Sequence, residues 1–186
     1  MYLVTHHYAS RNHVAWHDAL LALGAQSGPL VRNGESWRLV TAMFLHANSI
    51  HLIGNMFALR LCGLSAEKIF GSLRYAAIYL LAGLAGGVLS VAMHPEGTSI
   101  GASGAIFGVF GAVLAYLTHE PGDFSIRWAA RLGGTLLSIV VTNLLIGWIH
   151  PWIDNSAHLG GLAGGFVAGW LMARGASRRM ALNDGR

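Results

Sequence analysis

Long apolar stretches constrain the fold of this chain more than any other feature of its sequence. Of the 186 residues, 54% are hydrophobic and 11% are charged, whereas a soluble domain usually carries about 25% charged residues. A helix needs roughly 17 to 19 apolar residues to cross a tilted or slightly thinned bilayer. The sequence therefore predicts an all-α, polytopic transmembrane helical bundle, and its length suits a single domain.

Five such spans are recognisable, the first of them short. The stretch Trp37–Ala47 before the first span is amphipathic and rich in aromatic residues, so we expect it to lie at the membrane interface. Asn48 or Ser49 is placed to cap the helix that follows. The predicted spans are A, Ile50–Gly63; B, Tyr75–Met93; C, Ile100–Thr118; D, Leu132–Ile149; and E, Ala157–Ala173.

The spans divide the chain into three segments. Residues 1–36 are a polar N-terminal segment and the start of the first extramembrane loop, residues 37–173 are the membrane domain, and residues 174–186 are a basic tail. The first ten residues lack a long apolar core, so we expect no cleavable signal peptide. The single cysteine excludes an intramolecular disulfide. No basic stripe interleaves with aromatic residues, which disfavours nucleic acid as a partner.

Basic residues alternate between the connections. The A–B loop carries Lys68 and Arg74, the C–D loop carries Arg127 and Arg131, and the tail is rich in arginine. The B–C and D–E loops carry neither lysine nor arginine. Because cytoplasmic loops are enriched in these residues, the A–B loop, the C–D loop and the tail are predicted to be cytoplasmic, with the other two loops outside.

Four polar side chains fall at one depth below the predicted outer surface. Ser103 lies about three residues into span C, roughly 5 Å deep at 1.5 Å per residue, and His158 lies at a similar depth in span E. His51 and Asn55 share one face of span A. Since polar groups in hydrocarbon are costly to keep, this convergence indicates a functional site.

Glycines spaced four residues apart predict close packing between the spans. Such small-residue faces let helix backbones approach each other, and a hydrogen bond between Ser103 and His158 requires that spans C and E do so. The spaced glycines are Gly83 and Gly87 in span B, Gly104 and Gly108 in span C, and Gly161, Gly165 and Gly169 in span E.

The four residues suit acyl-transfer chemistry. A serine hydroxyl is a weak nucleophile until a base takes its proton, so Ser103 is a candidate nucleophile and His158 its candidate base. His51, Asn55 and the Ser103 backbone N–H are candidate donors to an oxyanion. Taken singly, Ser103 is more often a packing residue and His158 a helix-cap or interfacial residue. His51 and Asn55 are more often polar contacts between helices.

A metal site is disfavoured by the spacing of the histidines. His46 and His51 are five residues apart, which is poor for one helical face, and no carboxylate joins them. Asp154 precedes His158 by four residues, but the outer halves of the spans contain no acidic residue. We therefore expect a two-residue dyad whose imidazole is oriented by packing.

Three motifs are more specific than the single residues. Gly101–Gly108 begins Gly-Ala-Ser-Gly, His51–Met56 reads His-Leu-Ile-Gly-Asn-Met, and Ala157–Gly161 reads Ala-His-Leu-Gly-Gly. Together with the pair Trp37 and Arg38, they resemble the catalytic-serine, oxyanion, catalytic-histidine and loop motifs of rhomboid intramembrane serine proteases. They occur in the same order as in that family.

The resemblance implies a serine endopeptidase that cleaves transmembrane segments of other membrane proteins and uses neither a metal nor an organic cofactor. Ser103 would form an acyl-enzyme with His158 as base, and Phe107, at a position where tyrosine is common, would pack on that histidine. The Trp37–Arg38 pair would anchor its loop, Glu67 would join a polar network, and Gly161 would allow close packing of spans C and E. The expected location is a bacterial-type inner (plasma) membrane, with the site toward the outer side.

One departure from the family pattern leaves an alternative open. The family core commonly has six spans, the first of which precedes the Trp-Arg loop, and the sequence shows five, with that first span missing. A non-catalytic rhomboid-like protein that binds transmembrane segments is therefore the second interpretation. A small transporter is disfavoured because the chain has no repeated halves.

Overall fold

Helices account for nearly all the regular structure in residues 2–119 and 126–183, the parts of the chain that the computed structural model describes. A 3-10 turn covers Ala42–Phe44, and two two-residue strands, β1 (Gln26–Ser27) and β2 (Thr98–Ser99), pair antiparallel. The helices are α1 (Tyr2–Asn12), α2 (Trp16–Ala22), α3 (Gly28–Arg32), α4 (Arg38–Thr41), α5 (Ser49–Phe70), α6 (Ser72–Met93), α7 (Ser103–His119), α8 (Ile126–Ile149) and α9 (Asn155–Asn183).

Helices α5 to α9 coincide with the five predicted spans, although several ends differ. Among the described residues, α6 and the Ala130–Ile149 part of α8 are long and apolar enough to cross a membrane, and α7 is apolar but shorter. The predicted end of span A at Gly63 is wrong, because α5 continues to Phe70 and ends at Gly71, whose φ of 79° leaves the helical region. Helix α9 likewise continues beyond Ala173 to Asn183.

The predicted interfacial stretch before span A is divided rather than continuous. Residues 38–44 form α4 and the 3-10 turn, and Leu45 then takes an extended conformation. Asn48 caps α5, with its side-chain oxygen accepting a hydrogen bond from the His51 N–H at 2.8 Å. The capping prediction is therefore confirmed for Asn48.

Helix α7 lies at the centre of the bundle, where α5, α6, α8 and α9 all contact it. Its residues from Gly104 to Val113 are buried, and Phe110 and Tyr116 are among the largest fully buried side chains. This central position gives the first residue of α7, Ser103, a fixed place relative to all four neighbouring helices.

Close approach of spans C and E is confirmed. A Cβ on Gly161 would collide with the Gly104 carbonyl oxygen, and one on Gly165 would collide with that of Gly108. The predicted role of the span B glycines is wrong in part. Gly87 makes room for the side chains of Gln26 in β1 and Leu39 in the short helix α4, and not for the backbone of another span.

The polar N-terminal segment folds over the end of the bundle that carries Ser103. Leu20, Ala25 and Leu45 form a small apolar cluster, against which Ile100 packs. The pairing of Gln26 with Ser99 and the Gly28 N–H bond to the Gly97 carbonyl (2.9 Å) tie this segment to the loop before α7. The segment therefore supports the loop that leads into Ser103.

The buried Arg38 side chain bonds to several groups of the same N-terminal segment. It donates to the Glu35 carboxylate at 2.7 Å and to the carbonyls of Leu21 and Ala25 at 2.6 and 3.0 Å. The Trp37 ring lies 4.6 Å from the guanidinium carbon. This arrangement agrees with the predicted anchoring role of the Trp37–Arg38 pair.

Candidate active site

Ser103 and His158 are in hydrogen-bond contact. Ser103 is the first residue of α7 and His158 lies in the first turn of α9, and Ser103 Oγ is 2.9 Å from His158 Nε2. Both helices begin at the same end of the bundle, and the Gly104–Gly161 contact brings their backbones together one residue after Ser103. The pair thus has the geometry that proton transfer from a hydroxyl to an imidazole requires.

The imidazole of His158 is oriented by an aromatic ring. Phe107, one turn after Ser103, stacks on His158 with ring centroids 4.2 Å apart and an angle of 8° between the rings. Within residues 2–119 and 126–183, His158 Nδ1 makes no hydrogen bond. Asp154 accepts instead from the Ala157 N–H at 2.9 Å, so packing and not a carboxylate orients the base.

His51 and Asn55 face the loop immediately before Ser103. A Cβ on Gly101 would lie 2.8 Å from His51 Nε2 and 3.7 Å from Asn55 Nδ2. Gly101 has a φ of 121°, which favours glycine, so the residue admits both the backbone turn and the two side chains. Among the described residues, the buried Asn55 Nδ2 has no hydrogen-bond acceptor. Both side chains therefore present donors beside the nucleophile.

His46 is buried and packs against His51. The two rings meet edge to face with centroids 5.0 Å apart. Burial, followed by the neighbouring His51, lowers the pKa of His46 below its ordinary value. His46 is therefore neutral near pH 7 and contributes a buried ring beside His51.

A cavity of about 760 Å³ lies beside Ser103 and His158. Ser103, His158, His51, Asn55 and Phe107, all of which the sequence predicts as site residues, line it. It extends between α5 and α8, where Phe57, Leu61, Ile139 and Asn143 are among the residues that line it. The site is thus continuous with the gap between two helices.

Sequence reasoning missed a series of hydrogen-bonded polar residues next to the site. Gln26, Ser90 and Asp154 form a hydrogen-bonded chain, with 64 positions separating each bonded pair. Gln26 and Ser90 stood in segments that showed no motif, and Asp154 was considered as a partner for the imidazole. No spacing rule connects residues so far apart, and only the packing of α6 against α9 reveals them.

Comparison with known proteins shows a family match over most of the chain. The rhomboid domain matches residues 33–175. The chain is 42% identical over 143 residues to RHOMBOID-like protein 6, mitochondrial, of Arabidopsis thaliana, covering 77% of this chain and 46% of that protein. It is 41% identical over 151 residues to Rhomboid protease GluP of Bacillus subtilis (strain 168), covering 81% of this chain and 29% of that protein.

The matched region contains all five predicted site residues, whereas Gln26, which also lines the cavity, lies before it. RHOMBOID-like protein 5 of Arabidopsis thaliana is 39% identical over 155 residues, covering 82% of this chain and 49% of its own. The chain thus spans about half the length, or less, of these relatives. Since the rhomboid domain covers residues 33–175, more than half of the sequence, the chain belongs to the rhomboid family.

Proposed function

We propose that this protein is an intramembrane serine endopeptidase. The observation that carries the proposal is the 2.9 Å contact between Ser103 Oγ and His158 Nε2. In the first step, Ser103 Oγ attacks a peptide carbonyl carbon and its proton passes to Nε2. The tetrahedral intermediate collapses to an acyl-enzyme, and the leaving amine takes the proton from His158. A water molecule, deprotonated by His158, then hydrolyses the ester and restores Ser103.

The oxyanion of the tetrahedral intermediate has three donors available. His51 and Asn55 Nδ2 lie beside the Gly101 loop, and the Ser103 N–H stands at the first position of α7. The first backbone N–H groups of a helix have no partner within the helix and carry the partial positive charge of its N-terminus. Donors already fixed in place before the reaction stabilise the oxyanion without reorganisation.

The proposed substrate is the transmembrane segment of another membrane protein. The cavity reaches Ser103 from between α5 and α8, and its α5 wall includes the exposed Ile50 and Phe57, which are 83% and 72% exposed. An apolar helix in the bilayer can contact such side chains without desolvating a polar surface. The name of the relative GluP, a rhomboid protease, also supports proteolysis.

Rhomboid proteins are integral to membranes, and we propose a specific placement for this chain. Helices α5 to α9 cross a bacterial-type inner membrane five times, residues 1–36 lie outside, and residues 174–186 form a cytoplasmic tail. The connections before α6 and between α7 and α8 are then cytoplasmic, and Ser103 lies toward the outer side. The alternation of basic residues between connections supports this orientation.

Single cysteines test the orientation, because Cys62 is buried and its thiol should not react. A membrane-impermeant maleimide added to intact cells should label Trp152→Cys, whose parent side chain is 77% exposed. It should label Leu73→Cys, whose parent side chain is 86% exposed, only after the cells are lysed. The reverse pattern would overturn the proposed orientation.

Cleavage of a tagged single-span substrate in liposomes tests the activity. The purified chain should cleave a substrate that carries small residues near its outer end. Ser103→Ala and His158→Ala should abolish cleavage. Ser72→Ala is the matched control, because the Ser72 hydroxyl donates to Glu67 at 2.6 Å, away from the cavity. Cleavage by Ser103→Ala at the wild-type rate would overturn the mechanism.

A non-catalytic protein that binds transmembrane segments would give a different pattern. Photo-crosslinking to the same substrate would then succeed equally for wild type and Ser103→Ala, with no product from either. The family includes proteins named rhomboid-like as well as proteases. The paired cleavage and crosslinking measurements therefore separate the two functions.

A further inference from the structure

A series of hydrogen bonds, buried between Gln26 and Ser90 and partly buried at Asp154, ends at the helix that carries His158. Gln26 Nε2 donates to Ser90 Oγ at 2.9 Å, and Ser90 Oγ donates to Asp154 Oδ2 at 2.5 Å. Asp154 Oδ1 accepts from the Ala157 N–H at 2.9 Å. These hydrogen bonds thus join β1, α6 and the N-terminus of α9, and His158 follows Ala157 directly.

The first turn of α9 also rests on α6 without intervening side chains. A Cβ on Gly86 would lie 2.5 Å from the Ala157 carbonyl oxygen, and one on Gly160 would lie 2.8 Å from the Ala85 carbonyl oxygen. Glycine contacts allow close approach but, unlike a hydrogen bond between side chains, they are not directional. A directional bond from Ser90 to Asp154 fixes the remaining freedom, which is the height of α9 on α6.

Capping of α9 alone does not account for this arrangement. A cap needs one side-chain oxygen to accept from the helix, and Oδ1 of Asp154 does this. The second oxygen accepts from Ser90, which is 3% exposed, and Ser90 is in turn bonded to Gln26, which is 4% exposed. Burying two further polar side chains is costly unless they are bonded to each other, so the link is a separate feature.

We propose that Asp154, held by Ser90 and Gln26, is a positioning residue that sets His158 at hydrogen-bond distance from Ser103. The proposal rests on the proposed function, in which His158 is the base. His158 N–H bonds to the Asp154 carbonyl at 3.2 Å, so a shift of Asp154 moves the imidazole with it. A shift of about 1 Å in a reacting group lowers a rate by up to roughly 100-fold.

The test compares serine variants at the two ends of α6. Ser90→Ala removes the link and Ser90→Thr keeps a hydroxyl, while Ser72→Ala removes the hydroxyl bonded to the Glu67 carboxylate, away from the cavity. We expect Ser90→Ala to lower kcat on the order of tenfold with KM unchanged. Ser90→Thr should restore most of kcat, and Ser72→Ala should match wild type. Equal kcat for Ser90→Ala and Ser72→Ala would overturn the proposal.

Asp154→Ser distinguishes the hydrogen bond from Ser90 to Asp154 from the capping of α9 by Asp154. Serine is a good cap residue but is too short to accept from Ser90. We expect its kcat to fall as in Ser90→Ala. Wild-type kcat in Asp154→Ser would show that Asp154 acts as a cap alone and would overturn the proposal, and this variant also serves if Ser90→Ala fails to fold.

Hydrogen exchange distinguishes failure of this inference from failure of the proposed function. We expect the amides of residues 155–160 to exchange faster in Ser90→Ala than in Ser72→Ala, whether or not the protein cleaves a substrate. If wild type is inactive and this difference is present, the proposed function fails and the positioning of His158 stands. If the two variants exchange equally, the positioning inference fails.

Discussion

Phe107 and His158 are stacked, with ring centroids 4.2 Å apart and an angle of 8° between the rings. The stack comes from two helices that begin at the same end of the bundle, and it fixes an imidazole whose Nδ1 has no hydrogen-bond partner in the described part of the chain. Phe107 therefore restrains the imidazole through its ring face, whereas in a three-residue triad a carboxylate orients it through a hydrogen bond to Nδ1.

Replacing Phe107 should affect activity more than stability. Phe107→Leu removes the stack, and we expect kcat to fall on the order of tenfold because the imidazole gains rotational freedom. Phe107→Tyr keeps the ring and should retain activity. Phe70→Leu is the matched control, since Phe70 is as buried as Phe107 but does not line the cavity. Equal loss of kcat in both leucine variants would contradict the orienting role.

Asn55 should be required for activity but not for stability. Its Nδ2 is buried without an acceptor among the described residues, and an unpaired buried donor is destabilising. We expect Asn55→Ala to lower kcat by about 100-fold, the usual effect of removing one oxyanion donor, with an unfolding temperature equal to or above that of wild type. A large fall in unfolding temperature with unchanged kcat would contradict the oxyanion role.

Gly161 should tolerate no side chain. The alanine methyl of Gly161→Ala would collide with the Gly104 carbonyl oxygen and push α9 away from α7, at a cost of about 1–3 kcal/mol. Thermal unfolding in detergent measures this loss, and cleavage should fall with it as Ser103 and His158 separate. Gly134→Ala on α8 is the control, because a Cβ there meets nothing within 4 Å. Equal unfolding temperatures would show that the α7–α9 contact can relax.

Arg38 should be replaceable by lysine only at a clear loss of stability. Lysine cannot reproduce the three hydrogen bonds that its guanidinium makes to Glu35, Leu21 and Ala25. We expect Arg38→Lys to destabilise the protein by about 2 kcal/mol. Arg32→Lys should change stability by less than about 1 kcal/mol, since the Arg32–Glu96 pair is exposed. Chemical denaturation measures the free energy of unfolding of both variants. An equal loss in the two variants would contradict the anchoring role of Arg38.

The predicted site followed from features that are local in sequence. Hydrophobic stretches located the helices, and glycines four residues apart predicted the contact between α7 and α9, which the Gly104–Gly161 packing confirms. Charge alternation and helix rise placed Ser103 and His158 at one depth, and the structure brings their side chains to 2.9 Å.

Other features depend on contacts that sequence patterns do not encode. Gly63 reads as a helix end, yet α5 continues through this buried glycine, where a Cβ would collide with the Tyr75 hydroxyl, and ends where Gly71 adopts positive φ. The two-residue strands β1 and β2 are too short to show a period. The link from Gln26 through Ser90 to Asp154 appears only once α6 and α9 are packed.

Covalent trapping of the nucleophile is the most direct test of the central claim, that His158 activates Ser103 in this cavity. The purified protein is treated with a fluorophosphonate, which reacts with activated serines, and the adduct is located by mass spectrometry. We expect one adduct on Ser103 in wild type and none on that residue in His158→Ala, although Ser103 is still present. Absence of the Ser103 adduct in active wild type, or equal labelling of His158→Ala, would contradict the dyad.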